Sequence, residues 1–213
     1  MCKLPEAYQK IRFCPRLLKY RGSIIIQMAE GVSERVAVSF TPITQGTVDD
    51  TMHQIGFRPE VIYAEERAYL NTFEKPLLDF VERSAALLQG EAGSEAAEAY
   101  LRGVYIMHEL FRRQAGWRER ALPPVTENLC KAYVQDNFEG WQEENSSVET
   151  IFHSEGDRLE LEEGEIVPLF DKLREIEGDN FVYVKGGLAD LYFLYRKAMK
   201  TADLEAKFKV APE

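Results

Sequence analysis

The chain has 213 residues, 45% of them apolar, a formal charge of -10 at pH 7 and three cysteines. That length and apolar share suit one domain, or one domain with an appendage, and exclude disorder throughout. The acidity argues against a duplex-binding domain built on many phosphate contacts. Cys2, Cys14 and Cys130 form neither a disulfide framework nor a CxxC pair, as expected of a cytoplasmic protein in a reducing compartment.

Residues 1–27 differ from the rest: six Lys or Arg (Lys3, Lys10, Arg12, Arg16, Lys19 and Arg21) stand against Glu6 alone, and Pro5 and Pro15 interrupt the segment. Three readings compete: an organelle transit peptide, a basic arm for nucleic acid or a membrane, and an upstream extension with the start at Met28. We expect this segment to be dispensable and residues 28–213 to form one mainly helical domain. No stretch of 18 apolar residues occurs, so no membrane partner is expected.

Next, Val36, Val38 and Phe40 alternate within Arg35–Thr41, which reads as a short half-buried strand ending at Pro42. It would pair with Ile24–Gln27 as a hairpin or with Phe181–Val184. Thr47–Ile55 reads as a short helix. Pro59 opens another, carrying Val61, Ile62, Glu65, Ala68 and Tyr69. A helix from near Thr72 to Gly90 follows, with Pro76 in its first turn and Phe73, Leu77, Phe80, Val81, Leu87 and Leu88 as its stripe.

The organising stretch is Glu95–Ala115. Ser94 can cap it, Glu95 and Glu98 lie in its first turn, Arg112 and Arg113 in its last, and Gly116 suits a left-handed residue beyond the end. Ala97, Leu101, Val104, His108 and Phe111 form one stripe, and Ala96, Tyr100, Gly103, Met107 and Leu110 a second. Two stripes place this helix in the middle of a bundle. Gly103 costs about 1 kcal/mol against alanine in a helix interior, which a close approach by another helix would explain.

Beyond it, Pro123–Pro124 starts a helix with Val125, Leu129, Ala132 and Tyr133 on its apolar side, and residues 140–147 read as a polar break. A short helix from Val148 to His153 leads into an acidic loop from Glu155 to Gly164. Ile166, Leu169, Phe170, Leu173 and Ile176 then mark a helix up to Gly178. Residues 180–185 fit strand and helix alike. Gly186–Gly187 suggests a break, with a firm helix from Leu188 to Lys200 that buries Leu191, Tyr192, Leu194, Tyr195 and Met199.

Candidate chemistry is sparse. Asp50 with His53, His108 with Glu109 and Glu149 with His153 are the candidate metal ligands, but His108 and Glu109 point about a quarter-turn apart, HELFR lacks a second histidine, and no Glu-x-x-His unit occurs. Cys130 lies among apolar neighbours, as a buried small hydrophobe would. No GxSxG, GxxxxGK[ST] or GxGxxG is present, so no cofactor is expected and no catalytic residue is assigned.

The expected architecture is a mainly α-helical bundle of six to eight helices with a minor β-hairpin or strand pair. The expected role is a non-catalytic interaction or regulatory module that binds a protein partner or a second copy of itself. Tyr192, Phe193, Tyr195 and Trp141 are the expected interface, because the aromatic load exceeds what single buried stripes can hold. Two alternatives stand beside this role: a small metal-dependent enzyme, and a nucleic-acid-associated protein acting through residues 1–27.

Overall fold

A computed structural model describes residues 43–57, 59–116, 122–144 and 147–209, with backbone alone at 57, 137–144 and 203–209. In chain order these form α1 (Gln45–Phe57), α2 (Pro59–Phe73), α3 (Lys75–Ala92), α4 (Ser94–Gln114), α5 (Glu127–Glu144) and α6 (Val148–Glu162). A 3-10 turn (Gly164–Ile166), α7 (Val167–Glu177), a second 3-10 turn (Gly178–Asn180) and α8 (Phe181–Lys209) complete them. The protein is thus a mainly α-helical bundle, with no strand among the described residues. Both the strand at Arg35–Thr41 and the basic segment 1–27 lie outside the described residues. Among the described residues no helix is long and apolar enough to cross a membrane.

Helix α4 is the centre. It packs most extensively against α8 and also meets α1, α2 and α3, while α8 in turn carries α5, α6 and α7. This explains the two apolar stripes: Ala99, Tyr100, Val104, Ile106, Met107 and Leu110 are all fully enclosed. Phe111 is buried too, whereas Leu101 is only half-buried at the molecular surface. Its C-terminus follows the sequence, since Gly116 adopts φ 70 and its N–H donates to Arg113 O at 2.9 Å. Its N-terminus differs: Gly93, with φ 94, takes the cap position and Ser94 is already helical, with no side-chain cap.

Gly103 and Gly187 face one another across the α4–α8 pair. A Cβ on Gly103 would lie 2.0 Å from Val184 O, and one on Gly187 would lie 2.1 Å from Tyr100 O. Gly186 meets the Phe152 ring of α6 in the same way. The two adjacent glycines are therefore contact points within a continuous α8, where a break was expected. Residues 178–180 form a 3-10 turn and 181–185 are helical, because Phe181, Val184 and Leu188 all point into the bundle.

Two other segments extend further than their sequence suggests. Helix α6 runs on to Glu162 in place of the acidic loop from Glu155: Phe152, Gly156 and Leu159 keep one buried face, and Arg158 bridges Glu155 and Glu162 along the other. Helix α5 continues through 140 to Glu144, past the expected break, although it starts only at Glu127, with Thr126 Oγ1 accepting from Leu129 N–H. Between α2 and α3 the chain breaks at Glu74, as Pro76 can neither donate to the residue four back nor fit beneath its carbonyl. That break turns Glu74 inward, to 7% exposure.

Candidate functional site

The break at Glu74 is one wall of a buried polar cluster. Helix α2 presents Ile62, Glu66 and Leu70 to the interior at a spacing of four, so an acid occupies the middle of an apolar stripe. Helix α4 supplies His108 and Glu109 from its buried side and Arg112 and Arg113 from its last turn. Helix α8 brings Tyr195. Glu66 and His108 are fully enclosed, and Glu109 is 2% exposed.

The contacts link these side chains to one another. His108 Nδ1 hydrogen-bonds Glu66 Oε2, and Arg112 Nη1 donates to Glu66 Oε1 at 2.6 Å. On the opposite side His108 Nε2 stands 3.8 Å from Glu74 Oε1, an ion-pair separation too long for a hydrogen bond. Tyr195 Oη donates to Glu74 Oε2 at 2.8 Å, and Arg113 Nε donates to Glu109 Oε1 at 2.6 Å. The imidazole lies between the rings of Tyr69 and Tyr195, with centroids at 5.3 and 6.0 Å, and the Arg112 guanidinium sits 4.1 Å over Tyr69.

The electrostatics follow from enclosure and partners. Burial alone would depress the His108 pKa, but its glutamate partners, the hydrogen-bonded Glu66 and the nearby Glu74, outweigh burial and raise it above the ordinary imidazole value. Burial pushes Glu109 up to about 7, assisted by the neighbouring Glu66 carboxyl and opposed by Arg113. Tyr195 is raised well above a normal phenol by burial and by Glu74.

A second polar centre lies further along the same helix pair. Asp190 of α8 accepts from Tyr100 Oη of α4 and from Tyr133 Oη of α5, each at 2.8 Å. Burial pushes its carboxyl up to about 6, against the two hydrogen bonds, which hold it down.

The expected metal ligands do not converge. Asp50 and His53 are exposed on α1, His153 and Glu149 are exposed on α6, and His108 and Glu109 are interior on α4. Glu149 instead accepts from Tyr183 Oη at 2.8 Å. Among the described residues no three His, Cys, Asp or Glu groups are arranged to hold a metal ion. The partners of His108 are acids 42 and 34 positions away, beyond the reach of any helical spacing.

Three of the four expected interface rings are likewise internal. Tyr192 and Tyr195 are fully buried and Phe193 is 6% exposed, capped by the Arg158 guanidinium at 4.1 Å. Their hydroxyls reach acids inside the bundle: Tyr192 bonds Glu163, and Tyr195 bonds Glu74. These two tyrosines are therefore absorbed by tyrosine–carboxylate pairs in the interior and do not form an outer face. The fourth, Trp141, has a side chain outside the described residues.

The described surface does carry an open groove of about 540 Å³ between α2, α3 and α4. Ala64, Ala85, Ala86 and Ala97 line it with small side chains, and Tyr63, Tyr105 and Leu101 add broad ones. Arg67 and Glu82 span it, with Arg67 Nη2 donating to Glu82 Oε1 at 2.9 Å. Compared with known proteins, the chain matches no family model, no curated protein and no solved structure.

Proposed function

We propose that the protein is a non-catalytic helical interaction module that binds a helix of a second copy of itself, or of a partner protein, in the α2–α3–α4 groove. The observation that carries this reading is the lining of the groove. Alanines on all three helices let a foreign helix approach their backbones closely, and tyrosines offer apolar area with a polar tip, the combination that helix-in-groove recognition uses. The titratable groups around His108 favour the same reading, because they engage one another in the interior and do not line the groove. Ala86 is the test position, since it is exposed and lines the groove. Light scattering at micromolar concentration should give a mass above the 24.5 kDa of one chain. Ala86→Arg should return it to one chain with an unchanged circular dichroism spectrum. A wild-type monomer with no response to Ala86→Arg would overturn self-association through this groove.

A further inference from the structure

We infer that the cluster around His108 is a proton-dependent clamp that holds α2, the α2–α3 junction, α4 and α8 together. The geometry carries it. Both imidazole nitrogens face carboxylates from different elements: Nδ1 meets Glu66 of α2 and Nε2 meets Glu74 at the head of α3. A neutral imidazole has one N–H and one lone pair, so one of those carboxylates would look onto a lone pair; the imidazolium alone presents N–H to both.

Charge balance points the same way. Among the described residues the cluster holds three carboxylates, Glu66, Glu74 and Glu109, against two guanidiniums, Arg112 and Arg113. A proton on His108 or Glu109 is what neutralises the third carboxylate in an enclosed site, where an unpaired charge is costly. Among the described residues, each element packed around the imidazole contributes named groups. Helix α2 contributes Glu66 and Tyr69, the junction Glu74, α4 its own Glu109, Arg112 and Arg113, and α8 Tyr195. Helix α1, which also packs on α4, sends Val48, Thr51 and Ile55 inward and keeps Asp49, Asp50 and His53 exposed.

The sign of the pH response follows. His108 and Glu109 both bind protons more strongly in the folded chain than in the unfolded one. A raised imidazole contributes stability that is fully present below the unfolded value of about 6.5 and is lost as pH rises through its folded value. Glu109, ordinarily near 4.5 and here about 7, works in the same direction across that interval. Raising the pH therefore removes the proton that joins the acids of the α2–α3 hairpin to α4, and Glu66 and Glu74 then repel Glu109.

The test uses the full chain. In a His53→Gln, His153→Gln background, which leaves His108 as the one imidazole, nitrogen NMR should show an imidazolium at pH 6.5. As pH rises to 9 the imidazolium should give way, or the fold with it. The folding constant should fall by up to about tenfold per pH unit for each proton released. His108→Gln should flatten that dependence above pH 6.5. A neutral imidazole at pH 6.5, an imidazolium persisting at pH 9 in a chain of unchanged stability, or a His108→Gln profile parallel to wild type would each overturn the clamp. If His108→Gln fails to fold, the NMR titration decides alone.

Discussion

The two polar centres on the α4–α8 pair house buried acid in opposite ways. Around His108, carboxylates meet cations: Arg112 and His108 share Glu66, and Arg113 holds Glu109. Around Asp190 the two carboxylate oxygens are occupied by the phenols of Tyr100 and Tyr133. Phenols donate hydrogen bonds without cancelling charge, so burial still lifts Asp190 to about 6. Cation pairing ties several helices into one charge-balanced unit, at the risk of an orphaned charge if any member is lost. Phenol pairing gives a local joint whose failure is smaller.

The largest expected effect is therefore at the first centre. Glu66→Ala would leave Arg112 and the imidazole without their shared carboxylate inside the bundle, and should cost about 3–5 kcal/mol in a urea titration. A loss under about 1 kcal/mol would mean that the two centres do not differ as described. At the second centre Tyr133→Phe removes one phenol and leaves Tyr100 on Asp190, so the same titration should show about 1–2 kcal/mol. The smallest change in height, but a change in shape, belongs to Asp190→Asn. The Asp190 carboxyl rises from 3.8 to about 6 on folding, so its contribution to stability declines as pH climbs through that interval. An amide keeps partners for both phenols and does not titrate, so Asp190→Asn should flatten the wild-type slope between about pH 4 and 6 in thermal melts.

Much of the frame was legible in the sequence because it rests on local rules. The central helix, its Gly116 terminus and the close approach at Gly103 follow from spacing and from glycine's missing side chain. Gly186–Gly187 misled for the same reason, as a small residue marks a helix contact as readily as a break. The site was mostly hidden. Glu65 reads as well as Glu66 on the face of α2 until burial shows that Ile62, Glu66 and Leu70 point inward. Glu74 enters the cluster through a backbone break, and His108 meets it across the bundle. One signal was available: an isolated acid inside an apolar helix, as at Asp190 between Ala189 and Leu191, implies hydrogen-bond partners from elsewhere in the chain.

The paired glycines of α4 and α8 also set how these helices can be arranged at all. With Val184 O over Gly103 and Tyr100 O over Gly187, each backbone carries a notch that fits a ridge on the other. A slide of one turn, about 5.4 Å along the axis, would set Ala99, Tyr100, Ile106 or Met107 where only a hydrogen fits. The register of the pair is thus fixed by backbone contact at two points, and a shift of a full turn is opposed at both. Substitutions elsewhere in the chain would weaken that seating without removing the clash that opposes a shift of one turn.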